Sequence, residues 1–368
     1  MTYKLFTLSP GSTSTKLAVF EDEELIFKAN VSHDPEVLKT FARVADQLPY
    51  RVETILNALN EAGISIDEMD AFAAYSGGLA STPGGIFPVN ANIIKDSTSG
   101  RLFEHPAMLG ATIIDNFAGK TGKPAYLVNP PDVDEFEDVA RVTGIKGIYR
   151  ESHVHVLNQK EVALRAAKEL GKRIDECNFV VCHVGGGLSI TAQRKGLIID
   201  GNDVLNGVGP MAPNRSGDIP LLPLVKRCFS GDYTEAEIRN TISKSGGLMS
   251  LLGTDSTLKI NEMIKEGDEW AKLVYEAFGY GLAKQIGSYA AVLKGEIDAI
   301  VMTGGVSNDR VFIDAVKEYA GWIAPFIVFG GDFEMEALAS GAIRALSGEE
   351  ETKEYTGIPV WEGFSFEH

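Results

Sequence analysis

The strongest constraint on the fold is a buried strand that runs into a turn of small residues, because the chain contains it three times. The copies are Leu8-Ser9-Pro10-Gly11-Ser12-Thr13-Ser14-Thr15-Lys16, His183-Val184-Gly185-Gly186-Gly187-Leu188-Ser189 and Thr303-Gly304-Gly305-Val306-Ser307-Asn308. Each follows a short apolar run that reads as a strand: Tyr3 to Leu8, Phe179 to Cys182, and Ala299 to Met302. Placing Gly11 on Gly185, an offset of 174, also superposes the strand before the turn and the alternating strand after it. A third extended run follows in both, Glu24 to Lys28 and Gly196 to Asp200. The spacing predicts two copies of one strand–turn–strand–turn–strand core, each followed by helices.

Such turns suit a polyphosphate. Backbone N–H groups approach an anion closely only where side chains are small, and Ser and Thr hydroxyls add donors and Mg²⁺ contacts. The expected ligand is ATP, although no G-x-x-x-x-G-K-[ST] loop occurs in the chain.

At 368 residues the chain suits two domains, and its formal net charge of −17 argues against nucleic acid and anionic membrane surfaces as partners. An anionic substrate must then be met by a local cluster of cations and N–H donors. Cys177, Cys182 and Cys228 include no C-x-x-C pair, and two of them bracket a predicted buried strand, so reduced core thiols are expected. With no apolar run of spanning length and no leader pattern, a cytoplasmic location is expected.

Helical periodicity covers Val52 to Ala62, the stretch after Arg150 that carries His155, Asn158 and Lys160, much of Tyr233 to Leu293, and Glu334 to Leu346. Asp70 to Tyr75 reads as a strand entering Ser76-Gly77-Gly78, and Pro124 to Pro131 as a strand ending at Asn129. The Gly- and Pro-rich stretch Gly207 to Pro223 reads as a functional loop holding Arg215. The division expected is 1–150 for an N-terminal domain, 151–348 for a C-terminal domain, and 349–368 for a tail docked as a strap or subunit contact.

These blocks resemble the acetokinase family of the actin-like, sugar kinase and Hsp70 ATPase superfamily, and within it the sequence is most similar to the butyrate kinases. The likeness runs from Leu5 to about Gly348. Its most specific stretches are Arg150-Glu151-Ser152 with His155-Val156-Leu157-Asn158-Gln159-Lys160, His183-Val184-Gly185-Gly186-Gly187, Gly209-Pro210 with Arg215-Ser216-Gly217, and Glu334-Met335-Glu336-Ala337-Leu338-Ala339. The resemblance implies an α/β, duplicated actin-like (ribonuclease H-like) fold of two domains around a nucleotide cleft, in a homo-oligomer. It also implies reversible transfer of phosphate from ATP, with Mg²⁺, to a short aliphatic carboxylate. An acetate or propionate kinase and a non-catalytic nucleotide-binding sensor are the alternatives.

The resemblance assigns roles as well. Arg215, His155 and His183 act on the transferred group, Ser12, Thr13, Ser14 and Lys16 face the phosphates, and Ser9 and Glu334 serve the metal. Gly185, Gly186, Gly187, Gly304, Gly305, Asp255 and Ser256 contact the nucleotide, and Ser76, Gly77, Gly78 and His105 the acyl substrate. The chain departs from the family pattern at four kinds of position. Ser76 stands where an Arg is usual, Asn129 where the catalytic Asp is usual, Met108 where an Asn is usual, and Ser256 with Leu258 where an Asp and an Arg are usual. Asp132 or Asp134 is the nearest substitute for the carboxylate absent at Asn129.

Overall fold

The computed structural model describes residues 2–100 and 104–365, and Phe366 of the aromatic tail lies outside the described residues. The chain forms two compact units, Met1–Asp134 with Phe333–His368, and Glu135–Asp332.

The first unit holds a six-stranded sheet in the order β3-β2-β1-β4-β6-β5. Its strands are β1 (Lys4–Pro10), β2 (Ser14–Glu21), β3 (Glu24–Ser32), β4 (Ala71–Ala74), β5 (Ile86–Pro88) and β6 (Ala125–Val128). The second unit holds five, in the order β11-β10-β7-β8-β9: β7 (Asn178–Val184), β8 (Leu188–Arg194), β9 (Leu197–Gly201), β10 (Ala299–Gly304) and β11 (Phe326–Gly330). In both, an antiparallel three-stranded meander is extended by parallel strands beside its first strand, and in the first unit β5 then adds antiparallel to β6. The offset of 174 holds to the residue at three strand ends, carrying Lys4 to Asn178, Pro10 to Val184 and Ser14 to Leu188. The structure is a two-domain α/β fold in which both units are built on the same sheet plan.

Alternation along the strands explains the layers, since successive side chains point to opposite faces. Phe6 and Leu8 of β1 pack with Val52, Ile55 and Leu59 of the helix Leu48–Glu61 and with Ile113, Ile114 and Phe117 of Leu109–Thr121. Thr7 points the other way and meets Met335 of the helix Glu334–Ser347 at 3.5 Å. In the second unit, Val180, Cys182 and Met302 face Val274, Phe278 and Phe312 of the helices Glu269–Val292 and Arg310–Ala320, while Val156–Glu169 covers the opposite face.

The units differ from a linear division at residues 150 and 348: residues 135–150 belong to the second, and the helix Glu334–Ser347 to the first. That helix belongs to the first unit because the second face of the first sheet needs a cover, and the small face of Ala337, Gly341 and Ala342 supplies one. A Cβ on Gly341 would stand 2.5 Å from Val128 Cγ1 of β6, so close approach requires glycine there. Gly341→Val is therefore expected to destabilise the protein by about 1–3 kcal/mol through overpacking. The check is the urea midpoint; an unchanged midpoint would mean that this helix does not seat on β6 as described.

Candidate active site

The second unit gathers one constellation around the turn Gly185-Gly186-Gly187. The turn is closed by Gly185 N–H donating to Gly187 O at 2.9 Å. The Arg215 guanidinium lies flush against Gly187, where any side chain would collide with Nη1 and Cζ. Its Nε–H donates to Ser243 O at 3.3 Å, while Nη1 is buried with no hydrogen-bond partner among the described residues. Burial lowers the Arg215 pKa, and a desolvated guanidinium with an unused donor calls for an anion.

Two imidazoles stand beside that cation. His155, the residue preceding the helix Val156–Glu169, stacks on His183 at the end of β7 with ring centroids 4.1 Å apart and planes 15° from parallel. His183 falls to about 4, chiefly through burial, and His155 falls well below its ordinary value through burial and the charges of His183 and Arg215. Both rings are neutral at pH 7.

The His183 tautomer is fixed by a chain of donors. Thr303 O–H donates to Gly331 O at 3.1 Å, so Thr303 Oγ1 accepts from Asn158 Nδ2 at 3.1 Å. That sets the Asn158 amide, which also donates to His183 Nδ1 at 2.8 Å. The ring proton of His183 therefore sits on Nε2, bordered by Gly185, where a Cβ would come within 3.3 Å. His155 is held through Ser189, whose Oγ pairs with its Nδ1 and accepts its backbone N–H at 3.2 Å.

Gly304 and Gly305 lie in this unit as well. Gly304 has φ 86 and packs directly on the Val184 backbone, where no Cβ fits, so the second and third turns abut. Asp255 and Leu258 are exposed, and Ser256 caps the helix Thr257–Lys265 by accepting Lys259 N–H.

The first unit carries the remaining candidates. Its turn exposes Ser12 and Thr13 and is closed by Gly11 N–H to Ser14 O at 2.7 Å. Behind it sits Arg51, fully buried, donating to Gly11 O (3.0 Å), Ser12 O (3.1 Å) and Gln47 Oε1 (3.0 Å). His33 holds the neighbouring Thr15 Oγ1 at 2.8 Å. With the carbonyls drawn back onto Arg51, the turn is braced from inside. Lys16 faces Ser9 across the β1–β2 ladder and lies 3.6 Å from Glu334 at the first turn of Glu334–Ser347, so these three candidates are grouped.

Elsewhere in this unit, Ser76 is buried and its Oγ–H donates to Met108 O at 3.1 Å, while Met108 also presses on Gly78. A Cβ on Gly77 would stand 3.3 Å from Asp132 Oδ2, and Asp132 Oδ1 accepts Leu79 N–H at 3.2 Å. Asn129, at φ 42, is buried and exchanges hydrogen bonds with Gly85: its Oδ1 accepts Gly85 N–H and its own N–H donates to Gly85 O, both at 2.9 Å. Buried Asp134 donates its backbone N–H to Thr82 O at 2.9 Å, and exposed His105 caps the short helix Pro106–Met108 by accepting Ala107 N–H at its Nδ1.

The acetokinase family profile matches residues 141–335, more than half of the chain. The chain belongs to the acetokinase family. It is accordingly a carboxylate kinase that takes its phosphoryl group from ATP. Similar solved structures include the acetate kinase of Porphyromonas gingivalis (20% identity, 94% of this chain and 100% of that one, TM-score 0.78). The acetate kinase of Entamoeba histolytica (15%, 92% and 99%, TM-score 0.73) and a propionate kinase of Francisella tularensis subsp. tularensis (18%, 92% and 98%, TM-score 0.71) are also similar. At those identities the likeness is one of fold. Among the described residues no helix is long and apolar enough to cross a membrane.

The sequence marks no role for Asn158, Ser189 and Thr303, which orient the second unit's constellation from behind, or for Arg51 and His33, which brace the first unit's turn. Arg51 carried a readable signal, an Arg on the same helical stripe as Ile55 and Leu59. The others are ordinary polar residues whose partners are distant in sequence.

The buried rings give a pH prediction. His33 and His183 titrate near 4 in the fold against an ordinary 6.5, so between those values the unfolded chain binds more protons. Stability is thus full above pH 6.5 and falls as the pH drops towards 4. Urea midpoints across this range should show the decline, and His33→Gln should flatten it; an unaltered slope in the variant would exclude His33 as a source.

Proposed function

We propose that the protein is an active kinase for a short aliphatic carboxylate of about butyrate size, straight or branched, working in the cytoplasm with Mg-ATP. The observation that carries the reading is Arg215, a desolvated guanidinium with an unpartnered Nη1 on a side-chain-free turn, beside a neutral His183 that presents Nε2–H. Both are donors of the kind a phosphoryl group needs as it moves, and they are already oriented before it arrives.

In the reaction, a carboxylate oxygen of the acid attacks the γ-phosphorus of ATP. The new O–P bond forms as the bond to the β,γ-bridging oxygen breaks, giving acyl phosphate and ADP. Arg215 and His183 hold equatorial oxygens, with His155 stacked on His183 to fix it. The exposed turn at Ser12 and Thr13, braced by Arg51, binds phosphate through backbone N–H groups. Glu334 and Ser9 suit Mg²⁺, which takes few protein oxygens and keeps several waters; bound there, it would neutralise phosphate charge.

Asn129 is compatible with activity on chemical grounds. The acceptor is a carboxylate, ionised at neutral pH, so no general base is required to generate it. Ser76 and Met108 make the proposed acyl side less polar, which favours aliphatic length. Each added methylene buried there contributes roughly 0.8 kcal/mol. The second reading, an acetate or propionate kinase, has equal support from the family and differs in the acyl length accepted.

The test is to trap acyl phosphate as hydroxamate from acetate, propionate, butyrate, isobutyrate and valerate with Mg-ATP. Four-carbon acids are expected to be best; a maximum at acetate or propionate would replace the butyrate assignment, and no product with any acid would end the kinase reading. Arg215→Ala is expected to lower kcat by about 10²–10³-fold, with Arg215→Lys a poor substitute because it lacks the planar fork. Asn129→Asp should change kcat by less than about tenfold, whereas a required base would return about 10²–10⁴-fold.

A further inference from the structure

The C-terminal segment after Gly348 crosses the loop that leads from Ser76-Gly77-Gly78 into β5. Lys353 pairs its backbone N–H with Ile86 O at 2.8 Å, and its Nζ donates to Gly84 O. Its side chain also lies along Gly85, where a Cβ would meet Lys353 Cδ at 3.0 Å and where φ is +148. Two residues on, Tyr355 is 2% exposed, accepts Ala80 N–H at 2.8 Å and donates to Asp96 Oδ2 at 2.7 Å. Val360 N–H closes the crossing on Ser81 O at 2.9 Å.

The opposite edge of the same loop is held by the segment after β6. Thr82 bridges Val133, and Asn129 exchanges two hydrogen bonds with Gly85. The Gly84–Gly85 turn is thus gripped from both sides, by Asn129 and by Lys353. Two adjacent glycines, one in a backbone region that other residues rarely adopt, have little intrinsic preference for one conformation, so external contacts decide which is populated.

We infer that the C-terminal segment is a positioning strap for the carboxylate side of the site, with Lys353 fixing the Gly84–Gly85 turn against Asn129 and Tyr355 anchoring the strap to the sheet unit. The inference rests on the proposed carboxylate kinase reading for its consequence in catalysis. Its structural content, that the strap holds the loop, stands independently. Lys353 acts through the turn, so it is a positioning residue, and its loss should be felt by the carboxylate and not by ATP.

The test uses the full chain and the variants Lys353→Met, which keeps the aliphatic stem, Lys353→Arg, which keeps a donor for Gly84 O, and Tyr355→Phe. Amide exchange of the peptide spanning residues 79–89 and of Asn129 is measured alongside KM for butyrate and for ATP. Lys353→Met is expected to speed exchange of these amides by about tenfold or more, as local opening becomes easier. It should raise KM for the carboxylate by about tenfold and leave KM for ATP within about twofold, with Lys353→Arg near wild type. Tyr355→Phe, which loses two hydrogen bonds but keeps the ring, should show a smaller change in the same direction.

Equal exchange in wild type, Lys353→Met and Tyr355→Phe overturns the strap. Faster exchange with both KM values rising together overturns its link to the carboxylate and leaves a merely structural contact. If the wild type makes no acyl phosphate, the kinase reading fails, and exchange alone then decides the strap: faster in Lys353→Met supports it, equal refutes it.

Discussion

A guanidinium laid against a glycine is the contact on which the second unit's site depends. Gly187 has no side chain to hold Arg215 away, so the charge sits directly on a turn whose N–H groups share its electrostatic sign. Burial makes that cation costly while it lacks an anion, which is why its pKa falls. The surrounding groups avoid adding to the cost. His155 and His183 remain neutral, and the proton of His183 is fixed on Nε2 by Asn158 and Thr303 without any further buried charge. Supporting the donor with an amide and a hydroxyl adds no charge beside Arg215.

The two units share a backbone plan and solve the turn differently. The offset that carries Lys4 onto Asn178 carries Arg51 onto Val225 and Phe41 onto Arg215. The duplication therefore preserves strands and turns, while the cations come from unrelated positions. In the second unit the guanidinium borders the turn itself. In the first it lies behind, where it takes two carbonyl groups and stiffens the loop from the core side. Since a backbone carbonyl and the next N–H point in roughly opposite directions, gathering the Gly11 and Ser12 carbonyls inward favours N–H groups that face out.

Much of this was legible in the chain because it depends on local pattern. The strands, the three glycine turns and the offset follow from apolar runs and small residues, and the helix Leu48–Glu61 from the spacing of Val52, Ile55 and Leu59. What was not legible depends on partners distant in sequence. The sequence marks Glu334–Ser347 as amphipathic, but only the sheet shows which surface its small face must meet, and that moved it from the second unit to the first. The link from Asn158 to Thr303 spans 145 residues and that from Lys353 to Gly84 spans 269, so no periodicity announces either. Asn129 stands out in the sequence against the family pattern, but its two hydrogen bonds to Gly85 in a left-handed backbone conformation join residues 44 apart, which no local pattern announces.

An acidic chain that takes an anion must settle the contest between its overall field and its local one. The net charge of −17 is carried by side chains that are mostly at the surface, facing water and counterions. Beyond about 8 Å at physiological ionic strength such charges are largely screened. Arg215 is screened far less, because its Nη1 is buried, and the turn beside it adds N–H donors rather than carboxylates. Magnitude therefore follows depth more than number. In the proposed site, one desolvated cation outweighs many solvated carboxylates at the distance where a phosphate oxygen would sit.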